Sequence, residues 1–499
     1  MIKGMTRRAL LVGASTLAGQ AAIAGVPASI LPPPPRGRAS ADLVRRAAVD
    51  TAEDLIAKAG LDGVVTFALV DTATGQLVEG RQPGRMMPPA STLKSVTTLY
   101  GLDRLGTDHR FLTQVLHTGQ RDGGRITGDL ILAGGGDPTL DTDRLADLAI
   151  RVRDAGVTEV RGRFLVWAGA LPRGPMIDSD QPDHVAYNPS FGGLNLNFNR
   201  VHFEWKRDGD GYDITMQARA LRYRPATEVA RMALVDRAAP VFEYRASAGG
   251  DGDRWTVAQG ALGQDGARWL PVRYPALYCA DVFRTLMRSN GIVLGRPELM
   301  AEAPEGAVLL ARDESDVLGG VLKDMMKYST NLTAEAVGLT ASLANGVPAA
   351  SLVASGARMA GWAETRFGTR RLRFRDHSGL GYGSEIGAGD LARILAGDRR
   401  VRAFMSDVSI PEPGRSDGAA MKGASVVAKT GTLNFVSALA GFVTTLSGRE
   451  LAFAILTADV ARRDAIPPEA RERPPGARTW SGRSRRLQKA LLARWASAV

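Results

Sequence analysis

The sequence predicts a mixed α/β (α+β) protein of two or more domains, on three observations. Its 499 residues exceed what a single hydrophobic core usually holds. Runs of helical period and paired strand-like runs occur together on both sides of a central segment. That segment, from about 111 to 273, changes to short strand-like runs separated by glycine turns, which marks an inserted strand-rich domain. Hydrophobic residues make up 44% and charged residues 23% of the chain, a balance that excludes disorder and a membrane bundle.

Lys3, Arg7 and Arg8 precede an uncharged stretch from Ala9 to Ala24, and small-residue cleavage patterns end at Ala24 and Ala28. Residues 1–28 therefore read as an export signal. Thr6-Arg7-Arg8 gives it a twin-arginine character, the type whose cargo crosses already folded. The apolar stretch is about 16 residues, short of the ~20 that a spanning helix needs. Cleavage would release the chain into the periplasm, and a retained signal would leave it membrane-associated. Residues 29–38, with prolines at 32 to 35, form a stiff linker.

A helix is expected over 39–59, where Leu43, Ala47, Ala48, Ala52, Leu55 and Ile56 recur at helical spacing. Strands at 64–70 and 76–79 pair about the Asp71-Thr72-Ala73-Thr74-Gly75 turn. Pro88 and Pro89 stop the chain, and a helix runs from Ser91 to about Leu105. Inside the insertion, 129–132, 164–167 and 203–205 read as strands and 142–155 as a helix. The main domain, 39–110 and 274–499, resumes with helices at 280–290, 317–326 and 331–344. Strands at 437–444 and 450–456 pair about Leu446-Ser447-Gly448-Arg449. A final helix, 483–498, has Leu487, Leu491, Leu492 and Trp495 on one face and arginines on the other. No segment after the signal is long and apolar enough to span a membrane.

Composition removes several classes of chemistry. A single cysteine, Cys279, excludes an intramolecular disulfide and a Cys-based zinc site. His109, His117, His184, His202 and His377 show no H-x-x-x-H spacing, so neither metal nor cofactor is expected. The net charge is +11, but the basic residues form no run of five or six and accompany no nucleic-acid motif. Nucleic acid is not expected as a partner. A diffuse positive surface suits an anionic polymer carrying free carboxylates, such as a cell wall, and equally a solvated surface without a partner.

Three short motifs in fixed order carry the chemistry: Ser91-Thr92-Leu93-Lys94, Ser329-Thr330-Asn331 and Lys429-Thr430-Gly431. Taken singly, each has a bland reading: Ser91 as an N-cap, Ser329-Thr330-Asn331 as a turn before a helix, Lys429-Thr430-Gly431 as a strand end. Lysine usage sharpens them. The chain has nine lysines against 54 arginines, so plain positive charge is carried by arginine. Lys94 alone follows a serine at i−3, and Lys429 alone precedes Thr-Gly. A serine hydroxyl needs a proton acceptor before it can attack a carbonyl. On a helix, Lys94 lies beside Ser91, and lysine, unlike arginine, becomes neutral when buried or set near another cation. Lys429 is placed to be that cation, or to attract a substrate carboxylate. Ser329 can relay a proton, and Asn331 can both donate to and accept from a peptide backbone.

These motifs match the S-x-x-K, S-x-N and K-T-G set of penicillin-binding proteins and β-lactamases. With Pro89-Ala90-Ser91-Thr92-Leu93-Lys94, Gly134-Gly135-Gly136-Asp137-Pro138-Thr139-Leu140, Asp376-His377-Ser378-Gly379-Leu380 and Ala428-Lys429-Thr430-Gly431-Thr432-Leu433, the chain resembles the DacB-type D-alanyl-D-alanine carboxypeptidases from about Leu43 onward. These are the class C low-molecular-mass penicillin-binding proteins. The resemblance implies a penicilloyl-serine-transferase fold: an antiparallel sheet flanked by helices, a helical subdomain and a large insertion. It implies a serine carboxypeptidase or endopeptidase acting on peptidoglycan peptides and acylated by β-lactams. Ser91 would be the nucleophile and Lys94 its base. Ser329 and Asn331 would line the facing wall, and Lys429 would hold the terminal carboxylate with Thr430, Gly431 and Thr432. The backbone N–H groups of Ser91 and Thr432 would form the oxyanion hole. Thr330 stands where relatives often have aspartate or glycine, and His377 replaces a common glycine. A β-lactamase or esterase of the same fold, and a non-catalytic wall-binding or β-lactam-sensing protein, are the alternatives.

Overall fold

The main sheet grows from chain segments nearly 400 residues apart. In the computed structural model, which describes residues 50–344, 346, 349–412 and 420–498, six strands lie in the order Ser406–Asp407, Ser425–Leu433, Val436–Thr444, Glu450–Ala458, Val64–Asp71, Leu77–Arg81. Every neighbouring pair is antiparallel. The export signal, the linker and the 39–49 part of the first helix lie outside the described residues. The described part of that helix, Ala52–Ala59, begins at a capping box between Thr51 and Asp54, which satisfies otherwise orphaned N–H groups.

Both expected hairpins form, and their side chains alternate between two cores as the pleat requires. Val65, Phe67, Leu69, Leu451, Phe453 and Ile455 pack under the C-terminal helix Ala477–Ala498. Ala68, Val70, Ala452, Ala454 and Leu456 face the opposite core, shared with the helices Leu93–Leu105 and Ala388–Gly397. Small alanines on this second face let those helices approach the sheet. The helical subdomain adds Leu318–Tyr328, Asn331–Leu343 and Leu352–Phe367.

The insertion reaches further than the sequence indicated. Its five-stranded mixed sheet runs Pro297–Met300, Phe164–Trp167, Leu130–Gly134, Leu112–His117, Val308–Glu314. The first and last of these strands fall in the segment assigned to the main domain. They pair with insertion strands, and the helix Pro275–Ser289 packs into the same core through Tyr278, Phe283 and Met287. The glycine-rich 134–140 segment is structural: buried Asp137 accepts from Arg144 at 2.7 Å, and Arg144 also reaches Asp313 at 2.6 Å. That triad ties the late strand to the insertion. No helix among the described residues is long and apolar enough to cross a membrane.

The sheet and the C-terminal helix meet at Trp495, which is fully buried, lies 5.5 Å from Phe67 and 6.1 Å from Phe453, and donates to Glu79 at 2.9 Å. Trp495→Ala removes this packing and one donor to Glu79, which keeps its ion pair with Arg494. A loss of about 3–5 kcal/mol in urea unfolding is expected, as for other buried Trp→Ala changes.

Candidate active site

Ser91 sits in a single 3₁₀ turn, Ala90–Thr92, immediately before the helix Leu93–Leu105. The turn is held by Thr92, whose N–H and hydroxyl both donate to the Pro89 carbonyl at 3.2 and 2.6 Å. Ala90 adopts φ +46°, a left-handed conformation that costs a residue with a Cβ about 1–2 kcal/mol. The expected helix from Ser91 therefore starts two residues later, and the strained turn lifts the serine off the helix end.

Lys94 follows one turn on and is completely buried behind the serine. Its ammonium donates to Ser91 Oγ at 3.0 Å, Asn331 Oδ1 at 2.7 Å and the Ser378 carbonyl at 2.9 Å. Burial, assisted by the nearby Lys429 charge, pulls its pKa down to about 7, while Glu335 and Asp376 oppose that shift. Lysine is the residue type that can cross into the neutral form here.

Ser329 caps the helix Leu318–Tyr328 in the left-handed region, at φ +57°, and Asn331 opens the next helix. The break between two helices presents both side chains to the same place. Lys429 comes from the strand Ser425–Leu433, is buried, and donates to Ser329 Oγ at 3.0 Å and to the Thr430 carbonyl at 2.9 Å. Burial lowers its pKa to about 8. Gly431 stands where a Cβ would come within 2.8 Å of the Ser91 backbone nitrogen and 3.0 Å of the Pro89 carbonyl, so only glycine lets this strand lie against the nucleophile turn.

Ser91, Ser329, Asn331 and Thr432 line one cleft of about 1010 Å³, together with Tyr187, Leu380 and Tyr382. Lys94 and Lys429 stand just behind its surface. Thr430 is exposed and is not among the cleft-lining residues. The Ser406–Asp407 strand pairs only as far as Ala428, leaving the edge from Lys429 onward unpaired by that neighbour.

Three contributors were not foreseen. Glu335, one turn after Asn331 and fully buried, accepts the His377 and Ser378 N–H groups at 2.8 and 3.0 Å and so fixes the carbonyl that holds Lys94. Burial and the neighbouring Asp376 raise its pKa. Asp376 in turn accepts from Ser378 Oγ, Gly381 N and Ser384 Oγ. Tyr187, from the insertion, accepts Asn331 Nδ2 on its carbonyl at 2.7 Å. His377 itself is buried away from the cleft, bonded to Ser355 Oγ at 2.8 Å, and burial drives its pKa down to about 3. Its ring occupies the space a Cβ on Gly338 would need. It is a neutral packing residue.

A buried lysine within bonding distance of a serine at the head of a helix, faced by a second serine and a second lysine, defines an acyl-transferring serine hydrolase of the penicillin-recognising type. The chain belongs to the D-Ala-D-Ala carboxypeptidase 3 (S13) family, whose model matches residues 49–473, and is a serine peptidase. It is 30% identical over 482 residues to the D-alanyl-D-alanine carboxypeptidase of Actinomadura sp. (strain R39), covering 86% of each chain. The carboxypeptidase DacB of Mycolicibacterium smegmatis is 24% identical over 79% of this chain and 76% of its own length. The fold matches the crystal structure of penicillin binding protein 4 from Haemophilus influenzae with a TM-score of 0.66 at 20% identity. That match covers 88% of this chain and 99% of the other.

Glu335→Ala leaves two buried N–H groups without acceptors, at about 1–3 kcal/mol each. A stability loss of roughly 2–5 kcal/mol in chemical unfolding follows. Ser329→Ala, which leaves Lys429 its Thr430 bond, is expected to cost about 1.5–3 kcal/mol, the range of one hydrogen bond to a charged group.

Proposed function

We propose that the chain hydrolyses the peptide bond after a D-alanine in peptidoglycan stem peptides, as a carboxypeptidase, an endopeptidase or both, through an acyl-Ser91 intermediate. The observation that carries this reading is Lys94 Nζ at 3.0 Å from Ser91 Oγ with its pKa brought near neutrality by burial. In the neutral form the lysine lone pair accepts the Ser91 proton as Oγ attacks the carbonyl carbon. The C–N bond then breaks, the proton passes to the departing amine, and water later releases the acyl group. Ser329 lies between Lys429 and the cleft, where it can carry that proton. Asn331, held from both ends, presents a fixed amide to the substrate backbone. The free edge of the Lys429–Leu433 segment offers main-chain bonds to an extended peptide. Lys429 attracts its terminal carboxylate, with Thr432 of the same strand lining the cleft beside it and Gly431 letting that strand lie against Ser91, and the Ser91 and Thr432 N–H groups take the oxyanion.

The same site would be acylated by β-lactams, which present a strained amide beside a carboxylate. The leader-like residues 1–28 support export to the periplasm, where peptidoglycan is found. Retention of function as a mere wall-binding protein is disfavoured by the complete Ser91–Lys94–Ser329–Lys429 arrangement.

Intact-protein mass spectrometry after incubation with benzylpenicillin is expected to show one adduct on the wild type and none on Ser91→Ala. A folded wild type that remains unlabelled would overturn the catalytic assignment.

The acylation rate is expected to be bell-shaped in pH. It rises through about 7 as Lys94 loses its proton and falls through about 8 as Lys429 loses the charge that draws the carboxylate. Stopped-flow acylation from pH 5.5 to 10 tests the two limbs, and a profile flat through pH 7 would contradict the role of Lys94.

A further inference from the structure

The segment 175–188 forms one wall of the cleft through Asp180, Gln181 and Tyr187, and it contains no helix or strand. Its backbone groups therefore need partners from elsewhere. Arg273 supplies three of them. It is buried in the short link between the strand Asp265–Pro271 and the helix Pro275–Ser289. Its Nη1 donates to the carbonyls of Pro175 at 2.8 Å and Asn188 at 2.9 Å, and its Nη2 donates to that of Asp183 at 2.6 Å. The arginine is itself fixed, because fully buried Asp253 accepts its backbone N–H at 3.0 Å. Three points spread along the segment are thus gathered on one planar group, a task to which the rigid, many-donor guanidinium is suited.

The last of those points adjoins the active site. Asn188 follows Tyr187, whose carbonyl accepts Asn331 Nδ2 at 2.7 Å. A carbonyl only accepts, whereas an amide side chain has one donating and one accepting end. The Tyr187 carbonyl therefore sets which end of Asn331 faces Lys94, and Oδ1 receives Lys94 Nζ at 2.7 Å. A neutral lysine has two N–H groups and one lone pair. With the N–H groups taken by Asn331 Oδ1 and the Ser378 carbonyl, the lone pair is left for Ser91 Oγ at 3.0 Å. An Asn331 amide free to turn over would present its N–H groups to the lysine and compete with Ser91 for that lone pair.

We infer that Arg273, which is not among the cleft-lining residues, is a positioning residue for acylation at Ser91. It clasps the 175–188 segment so that the Tyr187 carbonyl holds Asn331, and Asn331 in turn aims the Lys94 lone pair at the nucleophile. This role rests on the acyl-Ser91 reading above and extends the machinery of that reaction into the insertion.

Stopped-flow acylation by benzylpenicillin over a range of concentrations separates noncovalent binding, the limiting acylation rate constant and the fraction of protein labelled. Arg273→Met keeps much of the side-chain volume and removes the donors. It is expected to lower the limiting rate constant by roughly tenfold to a hundredfold, the scale on which remote misplacements act, while all of the protein still labels. A purely structural role would instead reduce the labelled fraction and leave the rate constant of the folded remainder unchanged. Arg273→Lys, which keeps the cation with fewer donors, should recover part of the rate. If Arg273→Met does not fold, the lysine variant decides: full labelling at a lowered rate constant upholds the clasp, and the wild-type rate rejects it. In an Asn331→Ala background, followed by mass spectrometry over hours, no amide is left to orient, and Arg273→Met should cost less than about twofold. An unchanged limiting rate constant in Arg273→Met, or an equal fold loss with and without Asn331, overturns the clasp alone. A folded wild type that does not label overturns the acyl-Ser91 reading and the clasp with it.

Discussion

The burial of Lys94 is the constraint on which the rest of the site depends. An ammonium has three donors and no acceptor, and here all three are spent on groups from separate parts of the chain: the nucleophile turn, the head of the helix Asn331–Leu343 and the loop after Asp376. A lone lysine in such a place would be strongly destabilising. Its partners make it tolerable and also position the serine it serves. One interaction thus accounts for catalytic potential and for the way the helical subdomain closes on the sheet.

The cost passes outward to a shell of buried acids. Glu335 and Asp376 raise the affinity of Lys94 for its proton, whereas burial and Lys429 lower it. The balance leaves the lysine able to titrate in the neutral range, which neither effect would achieve alone. Glu335 gives its oxygens to two backbone N–H groups and Asp376 gives its own to a backbone N–H and two hydroxyls, so the loop carrying the Ser378 carbonyl is held rigidly. Nearby backbone strain at Ala90 and Ser329 persists because this network over-determines it.

The three motifs were legible because lysine is scarce in an arginine-rich chain, and chemistry that needs a titratable cation stands out against that background. Both main-sheet hairpins were legible as strand-like runs on either side of glycine-containing turns. Glu335 was not, because a glutamate inside a helix normally marks a solvated face, and only the tertiary packing shows it buried. Tyr187 contributes a backbone carbonyl, which leaves no residue-type signal at all. The insertion's boundary was misplaced for a related reason: Pro297–Met300 and Val308–Glu314 are short, half-exposed strands, and their sheet membership is set by partners 130 to 200 residues earlier. His377 was left open by the sequence and is explained by Gly338, whose missing side chain makes room for its ring.

The outer cleft is built on a different principle from its interior. Its far wall joins the insertion to the C-terminal segment through Arg471 and the Asp180 carbonyl at 2.7 Å, and through His184 and Arg268 with Glu472. These contacts are partly exposed, and surface ion pairs of this kind are worth only about 0–1 kcal/mol each. The inner network, by contrast, is buried, and Lys94, Glu335 and Asp376 are each held by several hydrogen bonds. The buried core around Lys94 therefore cannot rearrange cheaply, while the polar rim can be altered by single substitutions without disturbing Ser91. The two regions meet at the Asn331–Tyr187 contact, where the buried network ends and the insertion's part of the cleft begins.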